Sequence, residues 1–329
     1  MSTKKNTTNK KASSAMAGER STGRGSATGR AGAPLGRVGV IAHADKLSST
    51  DGGALRRALA DEGFTVTWTS ISKGSAATAA TQAALDDGVD KVVVCGGDGT
   101  VRAAIQALAG TDVPMAVLPS GTANLFAGAL NLATDPVEVA TALRVGSLRR
   151  IDTARCNDLA FAIMAGTGLD AGMIDASDDS KERLGTLAYV RAGIREARHR
   201  DPFAVRVAVD GQSLYTGDAT CVLVANIGSL KGGVDAFPDA SPDDGLLDVA
   251  VVTAAGLREW TALMVSAVRR TQADSGHVHL AQGARVEVSL EGKHRIELDG
   301  GTKGRVRTLD IRVVPDSLSV VVPADTVAR

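Results

Sequence analysis

The stretch VVVCGGDGTVRAAI, Val92 to Ile105, decides how this chain is read. Three valines and a cysteine form a short apolar run, the pattern of a strand buried on both faces. The turn Gly96-Gly97-Asp98-Gly99-Thr100 follows, and apolar residues then return at helical spacing. Glycines let backbone N–H groups come close to an anion, and a helix N-terminus adds positive partial charge. Thr100 is placed to cap that helix and to touch the ligand. Asp98 is harder to place, because a carboxylate repels a bare phosphate. It makes sense if phosphates arrive with a divalent cation, or if a hydroxyl must lose its proton as it attacks. No Gly-Lys-Ser/Thr follows, so the turn is not a Walker A loop.

Outward from this turn the pattern repeats. VGVIA (38–42) and FTVTWTS (64–70) read as strands, and GALRRALADEG (53–63) and SAATAATQAALDDG (75–88) as helices. PMAVLPSGT (114–122) supplies a further strand and turn. This β-α-β alternation predicts a doubly wound parallel sheet covered by helices, with ligands beyond the carboxyl ends of its strands. The second turn sits in AVLPSGTANLFAGAL (116–130), where Ser120, Gly121, Thr122 and Asn124 offer hydroxyls, an amide and free N–H groups. One such turn is a weak signal; two at one sheet edge are a strong one.

After about residue 150 strands dominate. PFAVRVAVDGQSLYTGDATCVLVAN (202–226) alternates through a hairpin at Asp210-Gly211. GLLDVAVV, ARVEVSLEG, HRIELDG, LDIRVV and LSVVVP are further strands, with helices near 181–198 and 256–270. The expected organisation is a basic tail over 1–36, an α/β domain over 37–148 and a β-sandwich domain over 149–325, whose last residues return to the first domain.

Residues 1–37 hold eight Lys/Arg against one Glu, so the body of this neutral 329-residue chain carries a matching acidic surplus. The tail is too polar to order itself; it is either a solvated extension or a weak attractor of anionic surfaces. No apolar run is long enough for a membrane span. The three scattered cysteines form neither a disulfide framework nor a zinc pattern, which points to a reducing, cytoplasmic setting.

GGDGT followed by PSGTAN resembles the catalytic domain of the diacylglycerol and sphingosine kinase-like lipid kinases, in its bacterial form. RRIDTARCND (149–158), MAGTGLDA (164–171), LGTLAYV (184–190), PDDGLLDV (242–249) and LDGG (298–301) extend the similarity over most of 38–323. The resemblance implies a phosphofructokinase/NAD kinase-like first domain, and an ATP-dependent kinase acting on a lipid hydroxyl at a membrane surface. It implies that Gly96, Gly97, Asp98, Gly99, Thr100, Val101 and Arg102 line the ATP phosphates, with Ser70, Ser120, Gly121, Thr122 and Asn124 contributing. It also implies Mg²⁺ at the SPDDGLL loop, with the Asp244 side chain and the Ser241 and Leu246 carbonyls as ligands. No nucleic acid is expected as a partner, and a homodimer is compatible with the pattern.

Three positions depart from the family. Leu125 stands where bacterial members have Asp, and AHADKL replaces an Asn-Pro loop. Gly301 stands where the glutamate of a DGE triplet serves as general base. Asp98 is then the candidate proton acceptor, with Asp299 as the second catalytic candidate. A degenerate member that binds without turnover is one alternative; an NAD kinase-like phosphotransferase, sharing the Gly-Gly-Asp-Gly turn, is another. Arg183, Arg191, Arg195 and Arg198 lie at helical spacing, as a solvated face or one meeting lipid phosphates.

Overall fold

A computed structural model describes residues 35–168, 202–230, 234, 235, 237, 239–254, 259 and 276–324. The expected helices near 181–198 and 256–270 and nearly all of the basic tail lie outside these residues. The first part runs β1 (Arg37–His43), α1 (Ser49–Asp61), β2 (Thr65–Ile71), α2 (Ala77–Asp86), β3 (Lys91–Gly96), α3 (Asp98–Leu108), β4 (Met115–Pro119), α4 (Leu125–Ala129) and α5 (Pro136–Val145). Then come β5 (Ser147–Cys156), β6 (Leu159–Phe161), β7 (Met164–Thr167), β8 (Phe203–Val209), β9 (Gln212–Ala219) and β10 (Cys221–Ala225). The short pair β11 (Ser229–Leu230) and β12 (Val234–Asp235) precedes β13 (Leu247–Val252), β14 (Val278–Gly283), β15 (Arg285–Leu298) and β16 (Gly301–Val322).

Strands β2, β1, β3 and β4 lie side by side and parallel, in that order. The chain steps from β1 to β2 on one side and returns to β3 on the other, so the order reverses between β1 and β3. Alternating side chains of β3 feed both faces. Val93 and Cys95 pack with Leu55 and Leu59 of α1 and with Val139 and Leu143 of α5. Val92 and Val94 pack with Ala77 and Ala84 of α2 and with Val101 and Ile105 of α3. Each such fully buried valine contributes about 1.5–3 kcal/mol relative to exposure.

The later strands are antiparallel and sandwich-like. Valines of β8, β10, β13 and β15 share one apolar core. β8 and β9 meet at the expected hairpin, where Asp210 and Gly211 both take positive φ, 48° and 78°, as a two-residue turn matching strand twist demands. Strand β16 joins the two regions. Its first half pairs antiparallel with β15, and its second half pairs antiparallel with β5 and reaches β4, where Val320 lies parallel to Met115. Fourteen of the described strands therefore form one mixed sheet. Among the described residues, no helix is long and apolar enough to cross a membrane.

Candidate active site

A cavity of about 230 Å³ opens beyond the carboxyl ends of β3 and β4, lined by Lys46, Gly97, Asp98, Gly99, Thr122, Ala123, Leu125, Asp299, Gly300 and Gly301. Its floor is two glycine turns in backbone contact. A Cβ added to Gly121 would lie 2.5 Å from the Gly97 Cα, and one on Gly97 would lie 3.0 Å from the Gly121 Cα. Gly121 therefore admits no side chain while Gly97 keeps its place, and Gly97 admits one only if its neighbour gives way. The Ser120 N–H donates to the Gly96 carbonyl at 2.9 Å, tying the turns together.

Asp98 opens α3, with Gly97 as the N-cap. Its carboxylate crosses to the second turn and accepts from the Phe126 N–H at 3.4 Å. Burial pulls its pKa up from 3.8, against the lowering pull of the Phe126, Leu125 and Asn124 backbone. Thr100 does not cap α3, contrary to expectation: the helix has no side-chain cap, and Thr100 is buried with its Oγ1 unpartnered. As the third residue of the helix it points inward, where a Cβ on Gly96 would stand 2.7 Å from its own Cβ. Val101 and Arg102 are also buried and lie off the cavity wall.

In the second turn Thr122 lines the cavity, while Asn124 is committed to the loop. Asn124 takes the left-handed φ of 49°, and its amide accepts from Gly121 N–H and donates to Gly121 C=O, both at 2.8 Å. Ser120 Oγ donates to the Leu118 carbonyl. Ser70, exposed and next to last in β2, lies outside the cavity lining.

Asp299 belongs to a different device. With Gly300 it forms a two-residue turn between β15 and β16, at φ 46° and 77°, and Leu298 pairs with Gly301 across it. The Asp-Gly dipeptide between strands is itself the hairpin signal. Both carboxylate oxygens are taken: Oδ2 accepts from Ala162 N–H at 2.9 Å, and Oδ1 from Ile163 and Met164 N–H at 2.8 and 3.0 Å. Burial raises its pKa, opposed by those N–H groups and by Arg102.

Two cations escaped the sequence reading. The replaced loop after β1 closes as a tight turn, with Lys46 and Leu47 N–H donating to the His43 carbonyl. It sits at the reversal between β1 and β3, which brings the Lys46 Nζ to 3.0 Å from where a Gly97 Cβ would be. Lys303, half-buried, folds back toward Gly301.

The SPDDGLL loop lies outside the lining of this cavity and is tied to Asp152, which is 3 % exposed. Asp152 accepts from Gly245 N–H through Oδ2 and from Asp316 N–H through Oδ1, both at 2.7 Å. Asp244 Oδ1 accepts from Leu246 N–H at 2.9 Å, and Ser241 donates to Asp243 at 2.5 Å. Burial raises the Asp248 pKa, and the charges of Asp244 and Asp239 add to the rise. No cluster of three or more His, Cys, Asp or Glu side chains able to hold a metal occurs among the described residues.

Residues 43–156 match the diacylglycerol kinase catalytic domain, and residues 163–322 match the YegS C-terminal NAD kinase beta sandwich-like domain. The diacylglycerol kinase of Bacillus subtilis is 31% identical over 240 residues, which is 72% of this chain and 78% of that protein. This chain belongs to the diacylglycerol kinase family. A probable lipid kinase YegS-like from Stenotrophomonas maltophilia is 30% identical over 73% of this chain and 81% of its own length. An uncharacterized Synechocystis protein is 30% identical over 73% of this chain, which spans only 56% of that relative. A putative diacylglycerol kinase structure from Bacillus anthracis superposes with a TM-score of 0.71 at 22% identity, over 88% of this chain and 97% of that one. An Archaeoglobus fulgidus NAD kinase in complex with ATP superposes at 0.54, at 16% identity, over 88% of this chain and 95% of that one. Those two likenesses concern the fold, a parallel part followed by a sandwich-like part. Membership of the family makes the chain a kinase-type phosphotransferase by descent.

Proposed function

We propose that this chain is an ATP-dependent lipid kinase that transfers the γ-phosphate to the hydroxyl of diacylglycerol or a related lipid alcohol at a membrane surface. The observation that carries the reading is the meeting of two glycine turns around one partly desolvated carboxylate, Asp98. The N–H groups of Gly97, Gly99, Thr122 and Ala123 are the phosphate donors, and Lys46 offsets phosphate charge from the β1 side. Asp98 accepts the proton of the attacking hydroxyl. The hydroxyl oxygen bonds to the γ-phosphorus as the bond to the ADP oxygen breaks, and the raised pKa suits a group that takes up a proton. Mg²⁺ arriving with the nucleotide would neutralise phosphate charge. In the second loop Asp244, Ser241 and Leu246 would hold a further Mg²⁺, away from the chemistry.

Asp299 already accepts three backbone N–H bonds, and it acts as the anchor that fixes the Gly300-Gly301 wall. The lack of a carboxylate at Gly301 supports a second reading, a binding protein without turnover. The test is transfer of labelled phosphate from ATP·Mg²⁺ to a panel of lipid alcohols, with an NAD arm. Transfer to lipid that disappears in Asp98→Asn is the expected result. No transfer to any lipid sinks the kinase reading, and transfer to NAD alone moves the chain to the NAD kinase class.

A further inference from the structure

Gly301 and Lys303 are two apart on β16, so they project from the same face of the strand. Without a side chain at 301, the lysine folds back over it: a Cβ on Gly301 would lie 3.5 Å from the Lys303 Nζ and 3.8 Å from its Cε. The amine thus lies against Gly301, a lining residue of the cavity that stands where the bacterial motif has its glutamate. Arg102 of α3 stands behind this wall, only 8% exposed, with its Nε unpartnered and one NH1 contact to the Ala160 carbonyl at 3.3 Å. The charged groups that act on Lys303 are Arg102, which repels it, and Asp299, whose two oxygens already accept three N–H bonds. Desolvation and Arg102 both pull the lysine pKa down. Two cations side by side, partly stripped of water and sharing one carboxylate that already accepts three N–H bonds, are held at a cost that an incoming anion removes.

We propose that Lys303, backed by Arg102, forms an anion site on the Gly301 wall of the cavity, and that its ligand is a phosphoryl group. That group is either the terminal phosphate of the nucleotide or a phosphate carried by the lipid. With no carboxylate at Gly301, the proton of the acceptor falls to Asp98, and Lys303 stabilises phosphate charge instead. The inference rests on the phosphotransferase reading for its place in the reaction, and binding measurements keep the two separable.

The experiment titrates the full chain and Lys303→Met with ATP, ADP and dihexanoyl phosphatidic acid below its micelle concentration. A loss of about tenfold is expected for the ligand whose phosphate meets the ammonium. Weakened ATP with unchanged ADP assigns the terminal phosphate, and weakened phosphatidic acid with unchanged ATP assigns the lipid phosphate. Affinities for all three within twofold of the parent overturn the site. If Lys303→Met folds poorly, Gly301→Glu reads the same point, because its carboxylate would pair with the ammonium and weaken the same ligand. A Gly301→Glu chain that binds all three as the parent does is the same refutation. A chain that transfers no phosphate yet shows the Lys303→Met loss keeps the site and sinks the kinase reading.

Discussion

Replacing Asp299 separates an anchor from a base. Its carboxylate holds three backbone N–H groups at 2.8–3.0 Å, in a residue 4% exposed. In Asp299→Asn the amide oxygen can keep the Ile163 and Met164 bonds, but the NH₂ then faces the Ala162 N–H, donor against donor. One buried donor left unpaired costs about 1–3 kcal/mol, so about 2 kcal/mol is expected. Asp299→Ala strands all three donors and also loses a residue that tolerates the φ of 46°, which adds about 1–2 kcal/mol. Some of this returns because the desolvation that raises the Asp299 pKa is no longer incurred. About 4–6 kcal/mol remains, against a usual total of about 5–15 kcal/mol, so the alanine variant sits near the edge of folding. The assay is urea unfolding. At an m-value of about 3 kcal/mol/M the asparagine variant loses about 0.7 M of midpoint with m unchanged. Its folded fraction keeps phosphotransfer within about tenfold, where loss of a general base costs about 10²–10⁴. An Asp299→Asn chain that unfolds at the parental midpoint but loses activity by such a factor would refute the anchor.

Three further outcomes follow from the same geometry. Gly121→Ala places a Cβ 2.5 Å from the Gly97 Cα and 2.9 Å from the Asn124 Oδ1, so the turns must separate. ATP affinity should fall at least tenfold by calorimetry while the β-rich strands keep their amide protection; unchanged affinity would refute the contact. Asp98→Asn should melt higher than the parent at pH 7. A raised folded pKa contributes stability below the ordinary value of 3.8 that is lost as pH rises through the folded value, so ionised Asp98 is a net cost at neutrality. The gain should shrink as pH falls toward 3.8, and a lower melting point at pH 7 contradicts it. Asp152→Ala leaves the Gly245 and Asp316 N–H groups unpaired, a loss of about 2–4 kcal/mol. Hydrogen exchange should quicken at 243–246 and 314–318 together, and protection unchanged in either loop would count against the link.

What the sequence disclosed tracks how local each signal is. The strand at Val92, the two glycine turns and the hairpin at Asp210-Gly211 are written in short windows, and they appear where the pattern put them. The two turns meet because the parallel order carries β3 beside β4. Lys46 was illegible for the opposite reason: its neighbour Gly97 comes to it only through the reversal between β1 and β3. Lys303 was hidden by absence, since a lysine folding over a missing side chain leaves no spacing to read. Asp299 carried a legible turn signal, Asp-Gly between strands, that the family's DGE pattern overshadowed. Thr100 misled because a hydroxyl near a helix start reads as a cap, whereas α3 begins two residues before it.

Strand β16 also sets an order of events during synthesis. It covers the open edge of β4, yet Val320 lies about 200 residues downstream of its partner Met115. At about 5–20 residues per second, that edge stays bare for on the order of 10–40 s after β4 is made. An unpaired apolar strand in that interval is a template for a wrong neighbour. The same strand begins at Gly301, on the cavity wall. Capping the nascent sheet and closing the reaction chamber are therefore one late step, and a growing chain holds no complete chamber until its sheet edge is safe.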